Sequence, residues 1–372
     1  MSTADSTRVT GLLPASTRVV ELGETFSTAL AGRFLERLGA HVTRVVPTGE
    51  EAELDTLGPR LGDDEHGPSA AGVWLRQNKD TIDLDPRAPE ARARLDDLLD
   101  DADVVLIAGT TSRWSEKGID LDDVRRRASR AVIGHVTAWG DDGPRTHLRS
   151  NELLLQAAGG FMNLVGSASR EPVRLGSHPL QATAGLLVLD GVMIGLFHRQ
   201  STGQATSFET SEFEAAAHLE WKIASTFQTG RPIERRGDEG GGPLVARTRD
   251  GYFGLFFTPR DWDGVKEMLG DPRLGDPRFA TPRSRALHER ELKELVEETT
   301  LPMSKKELYA RAQARSIPSG YVATMSDLLD SPQYRARDFF QWVEVPGVGT
   351  GEIPDAPWVV RTIDDLDEED AV

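Results

Sequence analysis

A chain of 372 residues, 38% hydrophobic and 28% charged, has the composition of a soluble globular protein with one large or two ordinary domains. Its net charge of −17 sets it against nucleic acid and anionic membrane surfaces, which would repel it. With no cysteine, disulfides, thiolate zinc sites and cysteine nucleophiles are excluded.

The eight histidines form no metal-binding pattern such as H-E-x-x-H. No apolar run is read as reaching the roughly 20 residues that cross a bilayer. The opening MSTADSTRVTGLLPASTR lacks the apolar stretch of a secretory signal. The expectation is a cytoplasmic chain with no metal, nucleic-acid or membrane partner. Part of the acidity sits in the final run, Ile363 to Asp370, which reads as a solvated tail.

In chain order, Arg18 to Leu22 is a short apolar strand. Ser27 to Leu38 has helical spacing that Gly39 ends, and His41 to Val46 is a second strand. A strand–helix–strand unit of this size implies parallel strands joined by a right-handed crossover. It holds neither G-x-G-x-x-G nor G-x-x-x-x-G-K-[ST], so dinucleotide and P-loop readings have no residues to rest on. LRQNKDTIDLD, residues 75–85, reads as a turn before a strand, with Asn78 and Lys79 as its polar groups. Ala102 to Ile107 is a buried strand running into Ala108–Ser112.

Two long apolar-periodic runs follow, Glu152 to Leu164 and Ala182 to Phe197, flanking a polar crossing with Gly176, His178, Pro179 and Gln181. A proline disfavours helix at the residue before it, which starts the second helix near Gln181 or Ala182. A helix start offers unpaired N–H groups and partial positive charge, suited to a carboxylate, a thioester oxygen or a phosphate. Asp190 is an unusual charge within the apolar run Leu186 to Leu196. Next come a strand, Ser207 to Ser211, and a glycine-dense loop. In that loop Gly240, Gly241 and Gly242 either let a ligand approach the backbone or form a plain linker. A strand at Tyr252 to Phe257 and helices near Trp262–Leu269, Ala286–Glu298 and Ser304–Ala314 complete the pattern.

The order AWGDDGP (138–144), Gln156, Gly159–Gly160, PVR (172–174), Ala184–Gly185 and HRQSTGQ (198–204) before a strand resembles the core of the family III CoA-transferases. That superfamily includes the formyl-CoA transferases, carnitine CoA-transferases and methylacyl-CoA racemases. Residues 75–85 resemble its L-N-x-N-K-R-S-I-x-L-D signature, and residues 317–337 its G-V-P-x-G-P-V…D-P-x-L-x-x-R passage. The resemblance implies a Rossmann-like α/β large domain with a parallel sheet, a smaller inserted α+β domain and an interlocked dimer. The expected division is an N-terminal extension over 1–17, the large domain over 18–225, the small domain with its glycine loop over 226–325, a return to the large domain over 326–362 and an acidic tail over 363–372. It also implies coenzyme A or an acyl-CoA as substrate, and a small carboxylic acid as the other reactant.

By the same resemblance the turn before Ala184–Gly185 carries the family's nucleophilic aspartate, and here that position is Gln181. The histidine of the racemase branch falls at Asn151, and Glu152 stands for a supporting aspartate. Asn78, Lys79 and Arg113 are the remaining candidates for contacts to CoA. Asp80, Ala108, Gly109 and Glu116 stand where relatives carry arginine, the Asn–Phe pair and a second arginine. Transfer through an aspartyl anhydride needs a carboxylate nucleophile. An amide, whose lone pair is delocalised and whose oxygen lacks a full charge, cannot form one. Neither Gln181 nor Asn151 has a usable pKa for proton transfer. His178, Glu152 and Asp190 are the candidate substitutes, although Asp190 lies about 13 Å further along the helix at 1.5 Å per residue. The expected function is a non-catalytic subunit that joins an Asp-bearing paralogue in a hetero-oligomer. The alternative is an autonomous acyl-CoA enzyme, as a homodimer, with altered catalytic residues. An aspartate placed at 181 is expected to gain about 0.3–1 kcal/mol from the helix start.

Overall fold

The computed structural model describes residues 11–49, 52–62, 66–85, 87–166, 170–220, 225, 227–230 and 244–360. Gly240, Gly241, Gly242 and the acidic tail lie outside the described residues. These residues fall into two compact units. One lies within Met1–Gly166, Pro172–Ile233 and Phe339–Val372, the other within Ser167–Glu171 and Glu234–Asp338.

The larger unit is built on six strands: β1 (Arg18–Leu22), β2 (His41–Pro47), β3 (Asp80–Leu84), β4 (Val104–Ala108), β5 (Val132–Thr137) and β6 (Ser207–Ser211). Their order is β3-β2-β1-β4-β5-β6, with every neighbouring pair parallel. Side chains alternate across a strand, so β1 and β4 serve two cores. Val19, Val104 and Leu106 face one, with the Phe26–Arg37 and Pro179–Thr202 helices. Val20, Leu22, Val105 and Ile107 face the other, with Leu95, Trp114 and Leu121. Burial on both faces explains why these strands read as continuous apolar runs.

The apolar run expected over Glu152 to Leu164 is two helices, Glu152–Ala158 and Phe161–Leu164. Gly160, at φ 91°, breaks the run in a conformation that favours glycine. The next helix begins at Pro179, earlier than expected, because proline fits the first helical position, where no N–H is needed. It runs 24 residues to Thr202 and is long and apolar enough, at mean hydropathy 1.7, to span a bilayer. Asp190, His198 and Arg199 interrupt the sequence run, which is why counting consecutive apolar residues passes over it. Its Val188 and Val192 are buried against the sheet and the Phe26–Arg37 helix, and its Leu180 packs with Leu155, Phe161 and Ala216. Gly185 permits the approach of that helix, since a Cβ there would lie 2.7 Å from the Ser27 carbonyl oxygen. Leu186, Ile194 and Phe197 face outward, at 44%, 69% and 71% exposure.

The smaller unit has an antiparallel sheet of β7 (Leu244–Thr248), β8 (Gly251–Leu255) and β9 (Ser319–Tyr321). Phe253, Leu255, Trp262, Val265, Val296 and Leu308 pack its core beneath the Trp262–Leu269, Glu289–Thr300 and Lys305–Gln313 helices. Separate strands and helices make this unit α+β. A hairpin, β10 (Phe340–Val345) with β11 (Gly349–Pro354), belongs to the larger unit.

Candidate active site

A sheet ordered β3-β2-β1-β4-β5-β6 opens a crevice outside the carboxyl ends of β1 and β4, where the strand order reverses. There Gly23 follows β1 and Gly109 follows β4, both at positive φ. A Cβ at Gly23 would lie 2.8 Å from the Trp114 ring. The crevice is approached by the start of the Phe26–Arg37 helix, capped by Thr25, and by the short Glu53–Thr56 and Thr111–Glu116 helices.

The Gln181 turn is a closed polar knot. The Glu152 carboxylate accepts from the Leu180 and Gln181 backbone N–H groups, each at 3.1 Å, and from Gln156 Nε2 at 2.8 Å. The helix start expected to receive a ligand anion is therefore already capped by a side chain of the protein. Gln181 is 3% exposed. Its Nε2 donates to Glu53 Oε1 at 2.8 Å and to Glu212 Oε1 at 3.3 Å, and its Oε1 lies 2.9 Å from His178 Nδ1. Ser27 Oγ donates to the same Glu212 oxygen at 2.6 Å. The His178 ring stacks on Phe26 at 4.8 Å.

Three carboxylates thus surround one amide. Burial first, then the nearby Glu53 and Glu152, push the Glu212 carboxyl up to about 8 against the hydrogen bonds of Ser27 and Gln181. Burial also raises Glu53, which the Gln181 hydrogen bond and the charges of His178 and Arg113 oppose. Glu53 is half-buried, whereas Glu212 and Glu152 are buried, at 5% and 4% exposure.

The other residues singled out from the sequence lie as follows. Asn151 caps the Glu152–Ala158 helix, its Oδ1 accepting from the Leu154 N–H at 3.0 Å. Asp190 is exposed, on the outward face with Leu186, Ile194 and Phe197 and about 180° round the helix from Gln181. It does not join the turn. Lys79, expected near an anionic ligand, is turned inward with its side chain 0% exposed. Its Nζ binds Glu21 Oε1 at 2.5 Å and the Ala29 carbonyl at 2.8 Å. Burial pushes the Lys79 ammonium down and the Glu21 carboxyl up, each opposed by the other's charge. Asn78 sits at φ 59° and donates to Glu36 Oε1 at 3.0 Å. Asp80 is exposed and pairs with His41. Arg113 is half-buried against Gly109, and its charge reaches Glu53.

Sequence reasoning missed Glu53, Glu212 and Ser27. Glu212 directly follows β6, a place where a side chain at a helix start returns to the crevice, and that was a usable signal. Glu53 lies 128 residues from its partner Gln181, and no local pattern links them. Among the described residues no group of histidine and carboxylate side chains is arranged to hold a metal.

The family model described as CoA-transferase family III matches residues 15–364. The chain is 26% identical to succinyl-CoA–D-citramalate CoA-transferase of Chloroflexus aurantiacus, over 89% of this chain and 84% of that protein. It is 23% identical to the succinyl-CoA–L-malate CoA-transferase alpha subunit of Chloroflexus aurantiacus, over 91% of this chain and 80% of that one. Among solved structures, a CAIB/BAIF family protein from Brucella suis superposes with TM-score 0.80 at 25% identity, covering 94% of this chain and 92% of that one.

Proposed function

The chain belongs to CoA-transferase family III, and we propose that it serves CoA transfer between an acyl-CoA and a carboxylic acid as a subunit without the nucleophile, beside a paralogue that bears the aspartate. The observation that carries this reading is the state of Gln181. Both atoms of its carboxamide are spent, the nitrogen on Glu53 and Glu212 and the oxygen facing His178. The helix start is occupied by Glu152, and Lys79 is spent on Glu21. Neither is left to meet an anionic substrate. A related protein bearing the name of an alpha subunit gives a multi-chain assembly, though not the missing nucleophile, a precedent among relatives.

The purified chain, given succinyl-CoA and a panel of dicarboxylic acids, is expected to exchange no CoA. By calorimetry it is expected to bind CoA no tighter than about 1 mM, equivalent to roughly −4 kcal/mol. Isolated under native conditions, it is expected to bring with it a family III chain carrying aspartate where this one has Gln181. Turnover by the chain alone overturns the reading.

One observation favours a second reading, an autonomous enzyme with a relocated carboxylate. Glu53 Oε1 lies 2.8 Å from the Gln181 amide nitrogen, and Glu53 alone of the three carboxylates is half-buried rather than buried. In this reading a Glu53 oxygen attacks the thioester carbonyl, the C–S bond breaks and CoA leaves as thiolate, giving a mixed anhydride. Hydroxylamine added with acyl-CoA would then leave a hydroxamate on the Glu53 peptide, absent from Glu53→Gln. No hydroxamate in the wild type eliminates this reading.

A further inference from the structure

The buried groups of the knot carry an inference that stands apart from either reading of function. Glu212 meets groups from four other elements. Ser27 comes from the Phe26–Arg37 helix, Gln181 from the Pro179–Thr202 helix, Glu53 from Glu53–Thr56 and Glu152 from Glu152–Ala158. On its own helix Glu214 is turned to the Ser211 hydroxyl. The charges that face it are acidic, Glu53 and Glu152. The nearby cationic groups, His178 and Arg113, act on Glu53, and Glu24 adds a further negative charge there. Glu24 is itself held by Arg44 and Arg76, so its guanidinium partners are committed elsewhere. Among the described residues, the donors that reach Glu212 are neutral, Ser27 Oγ and Gln181 Nε2.

We propose that Glu212 is kept as a neutral carboxylic acid in the folded chain, and that loss of its proton unlatches the Gln181 turn. An ionised Glu212 at 5% exposure would face two further carboxylates with no cation against it among the described residues. Relief comes through separation of the Ser27, Gln181 and Glu53 side chains from it, which loosens the first turn of the Pro179–Thr202 helix. The direction with pH follows from linkage. The folded-state value of about 8 lies above the ordinary 4.5, so the folded chain holds one more proton than the unfolded chain between them. The stabilisation is complete below about pH 4.5 and is lost as pH rises through 8.

Three measurements on the full chain test this. Thermal unfolding of the wild type should lose about 3 °C more than Glu212→Gln between pH 6 and 8, the difference isolating this one group. Hydrogen exchange, corrected for its intrinsic pH dependence, should lose protection on the order of tenfold at the Leu180 and Gln181 amides above pH 8 in the wild type, and not in the variant. Carbon-13 spectra of protein labelled at the glutamate side-chain carboxyl should show one resonance titrating between about pH 7 and 9, absent from Glu212→Gln. Parallel pH curves for the two proteins overturn the proposal. If Glu212→Gln does not fold, the wild-type spectrum decides, and no glutamate carboxyl titrating above about pH 6.5 overturns it equally.

Discussion

Two sets of charged residues, one from the larger unit and one from the smaller, sit in opposite surroundings. In the larger one, Glu21–Lys79, Glu24–Arg44 and the Gln181 carboxylates are withdrawn from water among helices and the ends of strands. In the smaller one, two Asp-Pro-Arg repeats pair on the surface. Arg273 binds Asp271 and Glu298, and Arg278 binds Asp276 and Glu291, with both arginines more than half exposed, at 59% and 51%. Similar residue types thus do different physical work. A withdrawn charge is costly to leave alone, so each member of the buried set fixes the position of the others. An exposed pair competes with water and salt and fixes little beyond its own loop.

The comparison breaks most sharply at Lys79. Lys79→Met leaves Glu21 at 1% exposure beside an apolar chain, and urea unfolding should show a loss of about 3–5 kcal/mol. Pairing it with Glu21→Gln should return most of that loss. Next is Gln181→Asp. The sequence alone suggested a small gain for aspartate at this helix start, but Glu152 already occupies those N–H groups. The variant removes the donor to Glu53 and Glu212 and adds a fourth carboxylate, with an expected cost of about 3 kcal/mol in the same assay. Adding Glu212→Gln should recover a large part of it. The smallest effect is expected at the surface. Arg273→Ala should change stability by about 1 kcal/mol or less, and by less still in 1 M salt. A loss at Arg273 comparable to that at Lys79 would erase the distinction between the two sets.

The sheet was legible because β1, β2 and β4 are apolar runs with a helical period between them, and this pattern admits few arrangements besides a parallel sheet. The position of the turn was legible from Pro179 and Gln181. Its occupants were not. Whether Lys79 points outward or inward depends on Gly32, where a Cβ would fall 1.6 Å from Glu21 Oε1 and 2.9 Å from Lys79 Nζ. A local pattern around Lys79 carries no sign of that distant glycine. Glu53 and Glu212 reach Gln181 from separations of 128 and 31 residues, so their meeting is a property of topology. Asp190 shows the converse, since its spacing along one helix was enough to separate it from the turn.

The placement of Glu212 directly after β6 also bears on the order in which the chain assembles. Strand β6 pairs with β5 across a long crossover that contains both the turn and the Pro179–Thr202 helix. Contacts closed over such long separations tend to form late, after more local pairings such as β1 with β2 have organised the chain. The knot is therefore expected to close late in folding, when β6 brings Glu212 against Ser27 and Gln181. In stopped-flow experiments, substitutions at Gln181 or Glu212 are expected to quicken unfolding while leaving the refolding rate nearly unchanged. The turn would then act as a kinetic clasp, setting how long the finished fold lasts more than how fast it forms.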